Sequence, residues 1–175
     1  MKKNLFMVIL LILCAAPAIL QAASYHWEDA QVSITIPENW TQKFEDGSDE
    51  SGDTLIVTAP NGAMSLLFFV LEADEMDNAI DQVEKDLNAT FDDLEFNEDT
   101  EDFTINGMPA FSLSGKAEKG KIDVEINLVI TPAAKCLTIL SIAGPDVFKK
   151  YEKDIISIVK GIEPIEEEED EEEEE

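Results

Sequence analysis

The sequence contains no arginine, a single histidine (His26) and only two cysteines (Cys14 and Cys136). Without arginine, the chain cannot bind phosphate or carboxylate groups through a bidentate guanidinium. A Cys/His zinc site lacks ligands, and a His-dependent catalytic triad would have to use His26. The net charge is −27, from 12 lysines against 39 acidic residues, so the chain repels a polyanion. These shortages argue against nucleic-acid binding and against the familiar zinc and triad chemistries.

Residues 1–23 are predicted to be a cleavable export signal. A basic start precedes an apolar run, Leu5 to Leu20, and small residues follow near Ala23. The run is shorter than the roughly 20 residues that span a bilayer. A membrane anchor and a lipid-modified Cys14 are the less favoured alternatives. We therefore expect a periplasmic or secreted protein without stable membrane insertion after cleavage.

Cys136 is the only cysteine that remains after this cleavage, so one mature chain cannot form an internal disulfide. It begins an apolar run that continues to Leu140. A small apolar residue in such a run predicts a buried structural thiol rather than a reactive one.

The last ten residues, 166–175, are nine glutamates and one aspartate. Like charges in such a block repel one another, so we expect a disordered tail that attracts cations diffusely. The 142 residues of segment 24–165 suit one domain with an ordinary core. Residues 24–102 carry 22 acidic residues and 2 lysines, whereas residues 103–165 carry 7 acidic residues and 8 lysines. The first half of the domain is therefore the acidic half.

Apolar periodicity predicts a series of strands with short connections. The one-sided strands are Val32–Ile36, which ends at Pro37, and Ile122–Ile130, the clearest alternation in the chain. Apolar residues on both faces mark Ala63–Leu71 and Cys136–Ala143 as central strands. Further strands are predicted at Thr54–Thr58 and on both sides of Asn106-Gly107, a pair typical of a type I′ hairpin turn.

Two amphipathic helices are predicted, one between the two groups of strands and one at the end of the domain. The first has an apolar stripe at Met76, Ile80, Val83, Leu87 and Phe91. The second begins near Pro145, ends near Gly161, and buries Phe148, Tyr151, Ile155, Ile158, Val159 and Ile162. Both stripes must be buried on the sheet, so the fold class is α+β, an antiparallel sheet flanked by two helices.

Three short segments carry a resemblance to a known family. Ser33 to Trp40 (SITIPENW) resembles the opening of PsbP-like domains and their bacterial relatives of the DcrB type. Ile105 to Phe111 (INGMPAF) resembles their mid-domain hairpin, and Ile155 to Ile162 resembles their closing helix. The resemblance spans roughly Gln31 to Ile162. It implies an α/β/α sandwich and a non-enzymatic accessory or binding role in an exported protein, and it transfers no functional residue.

An acidic loop supplies the only candidate metal ligands, and they are weak ones. An EF-hand loop requires Gly at its sixth position and a carboxylate at its twelfth. Counted from the first acidic residue of the loop, these places hold Ser51 and Val57. A solvated loop is therefore favoured over a Ca²⁺ site, and no cofactor beyond weakly bound Ca²⁺ is expected. The weak candidates are Asp46, Asp49, Glu50 and Asp53.

Other tempting residues have plain structural interpretations. The acidic stretch Asp92–Asp102 is favoured as a linker over a site of crowded carboxylates. His26 and Trp27 are expected in a terminal strand, and Trp40 is expected to pack in or beside the core rather than to stack on a ligand. We find no base, nucleophile elbow or Gly-rich phosphate loop beside the Ser, Thr and Lys residues.

Three functions remain open from the sequence. The favoured one is an exported, non-enzymatic binding or assembly module with a protein partner. The second is an acidic envelope protein that binds divalent cations such as Ca²⁺. The third is an enzyme whose site is not recognisable from the sequence.

Overall fold

The structure, a computed structural model, describes residues 23–47, 53–71, 76–91, 93–97 and 101–165. Eleven strands and two α-helices lie in these segments. The helices are α1 (Met76–Thr90) and α2 (Pro145–Lys160). The strands are β1 (Ala23–Trp27), β2 (Val32–Ile36), β3 (Thr41–Glu45), β4 (Thr54–Thr58), β5 (Ser65–Leu71), β6 (Glu95–Phe96), β7 (Glu101–Ile105), β8 (Met108–Ala117), β9 (Ile122–Ile130), β10 (Cys136–Ala143) and β11 (Ile162–Pro164).

The strands form one large and one small antiparallel sheet. The large sheet has eight strands in the order β3-β4-β5-β10-β9-β8-β6, and β7 also pairs with β8. The small sheet has the order β1-β2-β11. Helix α1 packs on one face of the large sheet, whereas α2 and the small sheet cover part of the other face. The predicted α+β class, with an antiparallel sheet between two helices, is confirmed.

Two apolar clusters fill the space on the two faces of the large sheet. On the α1 face, Val83 and Leu87 pack against Val124, Ile126 and Leu128 of β9. On the α2 face, the apolar stripe of α2 and strand β2 pack on the inner residues of β4, β5 and β10. Both faces of β5 and β10 are covered, and the two strands lie side by side in the sheet. Their prediction as central strands from two-sided apolar patterns is therefore confirmed.

Strand β9 departs from its prediction as a one-sided strand. Its outward-facing residues were expected in solvent, but Asn127 is only 4% exposed and Val129 is fully buried. Val129 belongs to the cluster beneath α2. One end of β9 therefore has two covered faces, because the small sheet and α2 extend over the face that the alternation predicts to be polar.

Three strands were not predicted. Strand β3 is exposed at all five residues and has no apolar alternation to reveal it. Strand β6 has only two residues and lies within the acidic stretch that was predicted to be a linker. Ile162 was assigned to the closing helix, but α2 ends at Lys160 and Ile162 begins β11.

Two of the segments that resemble PsbP-like domains, Ser33 to Trp40 and Ile105 to Phe111, both contact α2. The buried Trp40 donates a hydrogen bond from Nε1 to Asp154 Oδ2 at 3.3 Å and packs edge-to-face on Tyr151. Asn106, in the left-handed region at φ 47°, donates from Nδ2 to the carbonyl oxygens of Lys160 and Ile162. Trp40 is thus a core residue, as predicted, and the Asn106-Gly107 turn fastens the end of the closing helix.

Candidate functional site

A groove of about 620 Å³ lies between α2 and the ends of strands β8 and β9. On the large sheet, α2 packs on β9 and β10, and the groove lies beside it over β8 and the neighbouring part of β9. The wall on the sheet side is mainly polar, and the wall on the helix side carries apolar side chains. The side chains that line it include Asn97, Ser114, Lys116, Asp123, Glu125, Phe148, Lys149, Glu152, Ile155 and Ile156.

The polar wall follows from strict alternation in β8 and β9. Apolar Val124, Ile126 and Leu128 face α1, so the intervening residues of β9 face α2. The antiparallel register places Ser114 opposite Glu125 and Lys116 opposite Asp123. One face of two neighbouring strands therefore presents a row of hydroxyl, amine and carboxylate groups to the groove.

Hydrogen bonds fix most of these polar groups in place. Lys116 Nζ donates to Asp123 Oδ1 at 2.6 Å, and Asn97 Nδ2 donates to Ser114 Oγ at 2.7 Å. The buried Asn127 donates from Nδ2 to Glu125 Oε1 at 3.1 Å, which orients this half-buried carboxylate. The polar wall is consequently preorganised, which lowers the cost of ordering it around a ligand.

The helical wall of the groove exposes an apolar side chain. Ile156 is 46% exposed, and it is one of two large apolar side chains with such exposure among the described residues. Phe148 is half-buried on the same wall, and the buried Ile155 also lines the groove. Lys149 and Glu152 lie exposed on the same wall. An apolar wall opposite fixed polar groups is the arrangement that binds amphipathic ligands.

The row of polar residues continues beneath the helix. Ser141 of β10 lies opposite Glu125 in the register, on the same face of the sheet. Its Oγ is buried and has no hydrogen-bond partner in the described part of the chain. Burying a hydroxyl without a hydrogen-bond partner lowers the stability of the fold. The Ser141 hydroxyl therefore has unused hydrogen-bonding capacity beside the groove.

The weak metal candidates do not form a coordination site in the described residues. Asp46 and Asp53 lie at the two ends of the β3–β4 loop, and Asp53 Oδ1 accepts a hydrogen bond from the Gly47 amide at 2.8 Å. Asp49 and Glu50 lie outside the described residues. Within the segments that the structure describes, no group of three or more His, Cys, Asp or Glu side chains is arranged to hold a metal ion. In the observed arrangement, Asp53 joins the two described ends of this loop.

The acidic stretch Asp92–Asp102 is more than the linker that was expected. Asp93 accepts hydrogen bonds from the amides of Glu118 (2.8 Å) and Lys119 (2.9 Å), both of which have positive φ. These backbone donors lower the pKa of the Asp93 carboxyl. Asp93 therefore holds the β8–β9 turn, and Asn97 of the same stretch contributes to the groove.

The remaining sequence candidates are structural or exposed. His26 is exposed in β1, a terminal strand as predicted. Cys136 is a buried free thiol, and burial raises its pKa to about 11. Such a thiol carries almost no thiolate at neutral pH, which agrees with the predicted structural role.

The groove itself was not predicted from the sequence. Glu125 and its neighbours were visible as the polar half of an alternating strand, which normally means the solvent side. The exposed Ile156 was the available signal, because it interrupts the polar face of the second helix. Its meaning depended on which strands α2 covers, and local sequence patterns do not reveal that placement.

Comparisons with known proteins identify the fold. The chain is similar to the solution structure of the cyanobacterial PsbP protein (CyanoP) from Synechocystis sp. PCC 6803, with a TM-score of 0.63, 13% identity, and coverage of 86% of this chain and 96% of that one. It is also similar to LpqN of Mycobacterium tuberculosis, a protein involved in cell envelope biogenesis, with a TM-score of 0.51, 15% identity, and coverage of 82% and 90%. No protein-family model and no curated protein sequence matches the chain. The predicted likeness to PsbP-like domains is thus confirmed for the fold.

Proposed function

We propose that this protein is a non-enzymatic accessory or assembly module that binds another protein through the groove beside α2. The observation that carries the proposal is the exposed Ile156, which faces a wall of polar groups held by their own hydrogen bonds. The similarity to a PsbP protein and to an envelope-biogenesis protein supports an accessory role in general. Binding needs only complementarity along the groove, and no catalytic group is required there.

We further propose that the protein works in the periplasm or outside the cell. The basis is the signal predicted in residues 1–23, which lie outside the described residues. In the described segments, no helix has both the length and the apolar composition needed to cross a membrane.

The test places a photo-crosslinking residue at Lys149, on the groove wall, in the native host. A discrete crosslinked partner is expected, and Ile156→Asp should abolish it because a carboxylate would be desolvated against an apolar contact. Ser157→Asp is the matched control, since Ser157 is exposed on the same helix and does not line the groove. Loss of the crosslink with both variants, or with neither, would reject the groove as the binding site.

A further inference from the structure

We propose that two copies of this chain associate through strand β3, which pairs antiparallel with the β3 of a second copy about a two-fold axis at Phe44. This inference goes beyond the proposed function and concerns a different part of the molecule. Strand β3 is the terminal strand of the large sheet, at the opposite end from β6, which lies beside the groove. The pairing would join two large sheets into one continuous sheet.

The outer edge of β3 is available for pairing. In the described part of the chain, β3 pairs with β4 only, and all five of its residues, Thr41 to Glu45, are exposed. An edge strand of this kind presents a row of backbone N–H and C=O groups that can pair with another chain. The inner edge of β3 pairs with β4, which in turn pairs with β5, so the extended conformation of β3 is already fixed.

An exposed aromatic side chain, Phe44, lies at the fourth of the five positions of this edge. Phe44 is 38% exposed, the second of the two large apolar side chains with such exposure among the described residues. Tyr25 stacks on it with ring centroids 5.7 Å apart, and Trp27 meets it edge-to-face at 6.2 Å. The ring is therefore held in place at the edge of the sheet. Antiparallel pairing about Phe44 would bring the two phenyl rings together on one face, where aromatic cross-strand pairs stabilise a sheet.

The charges on the other face select this register. Lys43 and Glu45 flank Phe44 symmetrically and form an ion pair with each other within one chain. Pairing about Phe44 places Lys43 opposite Glu45 of the second copy, and Glu45 opposite Lys43 of the second copy. Each lysine then has a glutamate as its neighbour both within its own strand and across the two strands. Pairing about Lys43 would instead place two lysines opposite each other, which is unfavourable.

The overall charge of the chain opposes association and gives the dimer a recognisable salt dependence. Each copy carries a net charge of −27, and Asp46 follows β3 directly. Repulsion between two such molecules is long-ranged, and added salt screens it beyond about 8 Å at physiological ionic strength. The alternating charges at contact distance are screened less. Association should therefore strengthen as salt rises from low to physiological concentration.

The experiment is sedimentation equilibrium of the purified protein over a range of protein and NaCl concentrations. The wild-type protein should show a monomer–dimer equilibrium that favours the dimer as salt increases. Lys43→Glu and Glu45→Lys should each weaken dimerisation about tenfold or more, because each replaces two attractive cross-strand pairs by two repulsive ones. Lys153→Glu and Asp81→Lys, on exposed positions of the helices, make the same charge changes away from β3 and should leave the dimer intact.

Two rescue measurements make the register falsifiable. An equimolar mixture of the Lys43→Glu and Glu45→Lys proteins should dimerise again, because each strand then carries one sign of charge. The double variant Lys43→Glu/Glu45→Lys should dimerise like the wild type. A protein that stays monomeric in all conditions, a dimer insensitive to the single changes, or a mixture without rescue would each overturn the proposal. Ile156→Asp, in the groove, should have no effect on the dimer.

Discussion

At the scale of single residues, two side chains join segments that are far apart in the sequence. Asn106 links the β7–β8 turn to the last carbonyl group of α2 and to a carbonyl group of β11, 54 and 56 residues away. Asp93 links the stretch before β6 to the β8–β9 turn, 25 and 26 residues away. Both side chains bond backbone groups that the helices and strands leave free, so removing either side chain leaves those groups unpaired or bonded to water.

Asn106→Asp should lower the free energy of unfolding by about 1–3 kcal/mol. Aspartate tolerates the left-handed conformation at this position, but it lacks the amide donor and places a carboxylate beside two carbonyl oxygens. Urea denaturation measures the change. Asn61→Asp is the matched control, since Asn61 is exposed at φ 65° and should show a change below about 0.5 kcal/mol. Equal losses for both variants would contradict the role assigned to the Asn106 amide.

The carboxyl of Asp93 should contribute stability that depends on pH. Its pKa is lowered in the folded protein by the amides of Glu118 and Lys119, so the folded state favours the charged form. The contribution is therefore complete above the unfolded pKa of about 4 and is lost as pH falls through the lower folded pKa. Thermal unfolding of wild type and Asp93→Ala from pH 7 to pH 2.5 should show a difference in Tm that shrinks only at acidic pH. A difference that is constant over this range would be inconsistent with a charged acceptor.

At the scale of secondary-structure elements, the position of α2 determines both the core and the groove. Ile155 and Ile156 are neighbours in the sequence, yet Ile155 is 2% exposed and Ile156 is 46% exposed. The helix therefore buries one isoleucine on the sheet and directs the next toward the groove.

Ile155→Ala should cost about 2–5 kcal/mol, the usual range for a cavity in place of a core aliphatic side chain. Ile156→Ala removes the same atoms from a partly exposed site and should cost less than about 1 kcal/mol. Chemical denaturation of the two variants provides the comparison. A loss below about 0.5 kcal/mol for Ile155→Ala would show that this face of α2 is placed wrongly.

The thiol of Cys136 reports on the central strand β10. Because burial raises its pKa to about 11, the thiol should react with a maleimide or disulfide reagent only when the strand opens. In native buffer at pH 8, we expect labelling far slower than for a free thiol, with full labelling in denaturant. Rapid labelling of the folded protein would show that β10 is not a protected strand.

The sequence predicts the elements that carry strong apolar periodicity and misses those that do not. Two-sided runs identify β5 and β10, and the stripe through Val83 and Leu87 identifies α1. Strand β3 has Phe44 as its only apolar residue, so its extended structure comes from pairing with β4 rather than from its own composition. Ile162 continues the apolar spacing of the closing helix, so the pattern alone assigns it to that helix. The structure ends α2 at Lys160 and places Ile162 in β11. The groove needs the relative placement of α2 and β8, which local patterns do not encode.

At the scale of the whole molecule, the charge is unevenly divided. Residues 24–102 hold most of the acidic side chains of the domain, and the lysines of the second half include Lys116 and Lys149 beside the groove. A partner that binds the groove therefore meets locally mixed charge within a strongly negative molecule. Long-range attraction should favour a basic partner, and the local groups should set its orientation.

The acidic residues 166–175 lie outside the described residues, and their cation binding stays a prediction from the sequence. Calorimetric titration of Ca²⁺ should show weak binding at low salt that is lost at physiological salt and after deletion of the tail. Adjacent carboxylates without a fixed cage attract ions as a diffuse cloud. A saturable, salt-insensitive, micromolar site that survives the deletion would contradict this and would direct attention to the loop from Asp46 to Asp53.

The small sheet joins the two ends of the domain. Its central strand, β2, pairs on one side with β1 and on the other with β11, so that Ile34 lies opposite Ile162. The first and last strands of the domain are thus both required to complete one layer. During synthesis, β2 must wait for more than a hundred further residues before its second neighbour exists, and closing such a long loop is slow. Until then Ile34 and the face of the large sheet beneath the small sheet stay uncovered, so we expect this layer to form only after β11 has been made.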